Sequence, residues 1–199
     1  MGPKQWIFLT ALGGCLWWLL ADDEVSHGPG VLAAQAPLQT DAGDTPGFNH
    51  LGYSITPLAR FELKARVLGR EDYRFDREAD LSPVDLALGW GPMSDDHVLQ
   101  KLDISQGGRW YRWSAREMPV ARSEIQHNSA NMHLIPKNGD VADALDDVRT
   151  GHVIRLSGFL VEARAEDGWR WRSSLTREDS GARSCELIFV ERFSIVEPD

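Results

Sequence analysis

The stretch RFELKARVLGR (60–70) places Phe61, Leu63, Ala65 and Val67 on one side of the chain and Glu62, Lys64 and Arg66 on the other. A period of two is the pleat of a β-strand with one buried face, whereas a helix would scatter those apolar residues around its axis. The pattern returns in HVIRLSGFLVEA (152–163), where Gly158 marks a bend or bulge, and in CELIFVERFSIV (185–196). A shorter strand is expected over Val84 to Trp90, closed by Gly91-Pro92, and another in RWYRW (109–113) after the Gly107-Gly108 break. Asp167-Gly168 is a hairpin signal, and the returning WRWRSSL puts Trp169, Trp171 and Ser173 on one face and Arg170 and Arg172 on the other.

Only two short helices interrupt this series. Ser94-Asp95-Asp96 reads as an N-cap with acids in the first turn, opening a helix to about Leu102. A second should cover Val141 to Arg149, stopped by Gly151. The expected fold is therefore mainly β with two short helices. A strand with a central glycine, a tight hairpin and a return strand suit a small barrel, OB-like in type.

Two segments precede this domain. Residues 1–21 contain WIFLTALGGCLWWLLA (6–21), which has no charged residue, comes after Lys4, and is succeeded by Asp22, Asp23 and Glu24. As a helix the run spans roughly 24 Å against a hydrocarbon core of ~30 Å, with Lys4 able to snorkel and Trp17 and Trp18 at the interface. Its charge order keeps the N-terminus in the cytoplasm and exports the rest of the chain. The expectation is a signal anchor in the inner membrane, single-pass, with the C-terminal domain periplasmic. Alternatives are a signal peptide cleaved near Ala34-Gln35-Ala36, which releases the domain to the periplasm, and lipidation at Cys15 in LGGC. Residues 22–50, rich in Gly, Pro and Ala and acidic without Lys or Arg, read as a flexible linker to a globular domain over 51–199.

The formal net charge of −9 argues against a nucleic-acid partner, because phosphate binding needs a basic surface. Cys15 and Cys185 fall in different segments and should not pair; Cys185 reads as a small buried residue. No G-x-S-x-G, H-E-x-x-H, P-loop or C-x-x-C pattern is present, so no cofactor is indicated.

LSPVDLALGWGPMSD (81–95), RWYRW (109–113), SANMHLIP (129–136) and DGWRWRSSLTRED (167–179) occur in this order. Together they resemble a group of uncharacterised bacterial proteins with a hydrophobic N-terminal segment and one exported β-rich domain. The likeness spans roughly Leu51 to Ile195. It implies a single exported domain and, since no activity is established for the group, carries no catalytic residue across.

Two residue sets are candidates for a site. In IQHNSANMHLIP (125–136), an extended chain would place His127, Ser129, Asn131 and His133 on one polar face and Met132 and Leu134 on the core side. His127 and His133 would then stand about 20 Å apart, too far to share a metal. A turn at Ser129-Ala130-Asn131 would instead bring the two histidines together as metal ligands. The second set is Arg109, Trp110, Arg112, Trp169 and Trp171, with Tyr111, Trp113, Arg170 and Arg172 beside them, suited to stacking on sugars and gripping anions if exposed. Asp85, inside an apolar run, is a candidate acid or base if buried.

The expected role is a membrane-anchored binding or interaction module of the bacterial envelope, with a protein, peptide or glycan partner. Alternatives are a small hydrolase or metal-dependent enzyme using His127 and His133 with an acidic partner, and a structural subunit of an envelope complex.

Overall fold

The structure, a computed structural model, describes residues 24–176 and 185–197. The expected membrane segment, residues 1–21, lies outside them, and among the described residues no helix is long and apolar enough to cross a membrane.

Strands β1 (Leu38–Asp41) and β2 (Phe48–His50) precede the longest element, β3 (Tyr53–Asp72). The alternation read in 60–70 occupies the middle of β3, and Phe61, Leu63, Ala65 and Val67 are all buried. Next in the chain come β4 (Val84–Gly89), α1 (Asp96–Leu99), the hairpin β5 (Asp103–Gly107) and β6 (Trp110–Ser114), α2 (Arg122–His127) and β7 (Ser129–Pro136). The chain closes with α3 (Gly139–Asp146), β8 (Val153–Arg164), β9 (Arg170–Arg172) and β10 (Glu186–Val196). The fold is mainly β, with three helices among the described residues where the sequence suggested two.

β3 reaches several partners because it bends twice. Register shifts fall between Pro57 and Ala59, where proline has no N–H to give, and between Val67 and Gly69. β3 pairs with β8 from Ser54 to Arg66 and with β4 from Arg66 to Asp72, so the second shift falls within its pairing to β4. The pairs β3–β4, β4–β7, β7–β10, β10–β8 and β8–β3 form a ring of five strands, antiparallel except β7–β10. One face of each strand fills the core with Phe61, Leu63, Leu86, Leu88, Met132, Leu134, Leu156, Leu160, Ile188 and Val190, and α3 packs Val141 and Leu145 against it. Gly158 is required by close approach: a Cβ there would lie 1.9 Å from the Phe189 carbonyl oxygen. The register shift itself falls on the facing strand, between Val190 and Arg192.

The additional helix, α2, overlaps the start of the stretch 125–136, which the sequence leaves as either an extended strand or a turn. Its first turn is fixed by the Glu124 carboxylate, which accepts from the Ala121 N–H at 3.0 Å, and Ile125 is its buried contact. His127 ends this helix, so β7 starts only at Ser129.

Residues 24–50, expected to be a flexible linker, are folded onto the domain instead. β1 pairs with β3, Leu38–Asp41 lying opposite Ala59–Glu62, and β2 pairs with the start of β3. Upstream, the Ser94-Asp95-Asp96 cap receives the chain. Asp96 Oδ2 accepts from Ser26 Oγ and from the His27 and Gly28 N–H groups, at 3.1, 2.9 and 2.6 Å. Ser94 Oγ accepts from the Leu32 and Ala33 N–H groups, both at 3.1 Å. Asp96 also pairs with Arg66, and both side chains are buried. Composition missed this because the ordering comes from backbone donors meeting buried acceptors, which need no apolar side chains.

Candidate functional site

β4 and β7 pair so that Asp85 faces His133, Ala87 faces Asn131 and Gly89 faces Ser129. Their apolar neighbours Leu86, Leu88, Met132 and Leu134 point into the ring, so this row faces outward. The β5–β6 hairpin lies over it. Tyr111, Trp113 and Ile104 pack with Ala87, Met93 and Ile125, the Tyr111 hydroxyl hydrogen-bonds Ser129 Oγ, and Gln106 Nε2 donates to Asn131 Oδ1 at 2.8 Å.

The hairpin turns at Gly108-Arg109, with φ of 61° and 69°. Positive φ at both central residues is the type I′ requirement, and an arginine in that region costs roughly 1–2 kcal/mol. Arg109 is therefore a turn residue, where the sequence suggested the first residue of a strand. Its contacts offset the strain. The backbone N–H donates to the Tyr73 hydroxyl at 2.9 Å, and the backbone carbonyl accepts from Asn131 Nδ2 at 3.2 Å. The guanidinium donates to Ser82 O at 2.9 Å, Asp85 Oδ1 at 3.0 Å and Asp76 Oδ1 at 2.8 Å, and stacks 3.7 Å from the Tyr73 ring centroid.

These contacts converge on Asp85, which is fully buried. Its Oδ1 meets Arg109, its Oδ2 accepts from Asn131 Nδ2 at 3.2 Å, and His133 Nδ1 stands 2.8 Å from Oδ1 but off the direction of a good hydrogen bond. The imidazole rests against Trp171, ring centroids 4.9 Å apart, and Trp171 touches Trp169 in turn. Burial, and after it the charge of Asp85, pushes the Tyr73 hydroxyl up to about 12, which keeps it a neutral donor–acceptor.

A cleft of about 710 Å³ opens beside this cluster. Arg109, Trp110 and His133 form one part of its wall, Glu78 from the β3–β4 loop another, and β9 with the residues after it, from Arg170 to Thr176, the rest. Cys185 closes it at the start of β10, its thiol pushed up to about 12 by burial and then by Glu186 and Asp85. A thiol in that state is a poor nucleophile at neutral pH.

At the β9 side, Glu162 collects three arginines. Arg164 Nε, Arg170 and Arg172 reach its carboxylate at 2.5, 2.5 and 2.8 Å. Burial alone would raise that carboxyl; hydrogen bonds from Arg172, Arg170 and Arg164 outweigh it and hold the pKa at about 2. The sequence carried this signal unread: counting back from the Asp167-Gly168 turn sets Glu162 opposite Arg172 and Arg164 opposite Arg170.

The two candidate sets are thus partly brought together. His133, Arg109, Trp110 and Trp171 line the cleft, Asn131 lies beneath it, and Trp169 packs on Tyr53 and under Arg77. Ser129 is buried, donating to the Ile125 carbonyl at 2.6 Å. Arg112 is exposed on the hairpin, away from the cleft lining. His127 is exposed at the end of α2, and Ser129-Ala130-Asn131 is strand, so the turn that would have set it opposite His133 does not form. Among the described residues no group of three or more His, Cys, Asp or Glu side chains is placed to hold a metal.

Comparison with known proteins finds no relative: no family model, no curated protein and no solved structure matches the chain.

Proposed function

We propose that the chain is a membrane-anchored, exported binding module of the bacterial cell envelope, built on an OB-like barrel, with its ligand in the cleft beside Asp85 and His133. The anchor and the export rest on the charge order around residues 6–21. The OB-like reading rests on the ring. In chain order its second strand pairs with the first and third, the third runs parallel to the fifth, and the first closes on the fourth. OB barrels bind on the face of strands 2 and 3, between the loop joining strands 1 and 2 and the loop joining strands 4 and 5.

One observation carries the binding role. The cleft lies at that junction, between the outer row of β4–β7, the loop bearing Glu78, and the segment from Arg170 to Thr176, and it joins aromatic to cationic walls. Its floor is preorganised by the contacts to Asp85, which lowers the ordering cost of binding. The test is retention of soluble glycan and peptide fragments, released from bacterial cell wall, by full-length protein in lipid nanodiscs. Fragments should be retained, and Trp110→Ala should lose them. Equal retention by Trp110→Ala, or none by either, contradicts the reading.

A hydrolase is a second reading favoured by one contact, the Asp85–His133 pair at the cleft wall. It requires turnover of an ester, amide or glycoside that disappears in His133→Gln; a panel without turnover removes it.

A further inference from the structure

Resting on the reading of residues 6–21 as a membrane anchor, we infer that the domain is mounted directly on the lipid headgroups by the face around Val25, with the cleft held at the far end. The docked N-terminal segment carries the argument. The Val25 N–H donates to the Thr150 carbonyl at 3.0 Å, and the Val25 carbonyl accepts from Arg66 Nη2 at 3.3 Å. Val25 is seated so closely that a Cβ on Gly151 would lie 1.9 Å from its carbonyl oxygen. The chain from Ser26 to Ala33 is then held by Asp96, Asp95 and Ser94. Cleavage after Ala36 would strip the buried Asp96 of Ser26, His27 and Gly28, so the docked segment fits an anchor that is retained.

Fixing Val25 leaves almost no tether. Four residue steps separate it from Ala21, the end of the apolar run, which is at most about 14 Å of chain, and a headgroup layer takes roughly 5–7 Å of that. The surface beside Val25 therefore meets the headgroups. It holds His152 with Arg149, His27 and Glu197 around it, and Glu24 is exposed alongside. Charges of both signs suit zwitterionic headgroups and call for no anionic lipid. β8 sets the other end: it starts at Val153 and runs about 36 Å to Arg164, where β9, a wall of the cleft, pairs with it. The fully exposed Phe75 is at that far end too, because Arg77 of the same loop pairs with Asp167 in the β8–β9 turn at 2.8 Å.

The experiment places full-length protein in nanodiscs of zwitterionic lipid doped with a nitroxide-headgroup lipid. Bimane is attached at Arg149→Cys or at Glu166→Cys, in a Cys15→Ala/Cys185→Ala background. Headgroup quenching should be about threefold or more stronger at Arg149→Cys. A flexible Gly/Ser insertion of about 15 residues between Asp23 and Glu24, with a reach of roughly 20 Å, should lower it toward the level at Glu166→Cys without touching the docked segment. Equal quenching at the two positions overturns the inference and leaves the anchor standing, as does an Arg149→Cys signal that the insertion leaves unchanged. Stronger quenching at Glu166→Cys overturns it in the same way and would place the Phe75 end against the bilayer. Failure of the chain to enter nanodiscs overturns the anchor reading and this inference together.

Discussion

Asp85 and His133 occupy facing positions on β4 and β7, and their side chains meet at 2.8 Å with 0% and 4% exposure. Around this contact the outer face of the five-strand ring is organised: Arg109 reaches down from the hairpin turn to the same carboxylate, and Asn131 holds its other oxygen.

Removing Asp85 should therefore be costly. Asp85→Ala leaves the Arg109 charge and Asn131 without their buried partner, and a loss of about 3–5 kcal/mol is expected from breaking such a network. His133→Gln, which leaves the Arg109 contact in place, should cost less, about 1–2 kcal/mol. Denaturant unfolding of both variants measures the order, and a larger loss in His133→Gln would place the centre of the network elsewhere.

Asp96 should control whether the N-terminal segment stays docked. Asp96→Ala removes the acceptor of Ser26, His27 and Gly28 and leaves Arg66 buried without its acid. Limited proteolysis should then cut between residues 24 and 37 at least tenfold faster than in the wild type, on the order of the change expected from losing one or two charge-assisted bonds. An unchanged cutting rate would mean that Ser94 and the backbone contacts hold the segment by themselves.

The segment also shows what was legible in the sequence. Alternation placed β3, β8 and β10 and named the inward residues Phe61 to Val67, because burial on one face leaves a periodic trace. The docking of 24–33 leaves no such trace, since the segment is held through its own backbone N–H groups, which donate to Asp96 and Ser94. At the site, Ser129, Asn131 and His133 do share one face of β7, but the period-two pattern was carried one turn too far, into α2, and so included His127. Arg109 was singled out for its aromatic neighbours; its positive φ and its reach to Asp85 depend on which strands the hairpin covers, which is a tertiary fact.

Acid should weaken the fold partly through Glu162. Its folded pKa of about 2 lies below the ordinary 4.5, so its contribution is fully present above about pH 4.5 and is lost as pH falls toward 2. Asp96, also held below its ordinary value, acts in the same direction: burial would raise it, but the His27 N–H, Arg66 and the Gly28 N–H outweigh this. Unfolding measured from pH 5 to pH 2.5 should therefore show a steeper decline in the wild type than in Glu162→Gln. Parallel declines would mean that the arginines do not hold this carboxylate in solution.

Cys185 should be inert in the folded protein. With its thiol held at about 12, iodoacetamide at pH 8 should leave it largely unmodified over an hour and label it rapidly in denaturant, as mass spectrometry of the 185–197 region would read. Fast labelling under native conditions would reopen a nucleophilic role at the cleft.

The most direct test of the binding account is hydrogen–deuterium exchange of the full-length protein in nanodiscs, with and without cell-wall fragments at saturating concentration. The account predicts slower exchange over residues 107–111 and 170–176, with the edge of α3 unchanged. Protection confined to other surfaces, or bound fragments that leave the amides of 170–176 unaltered, would contradict it.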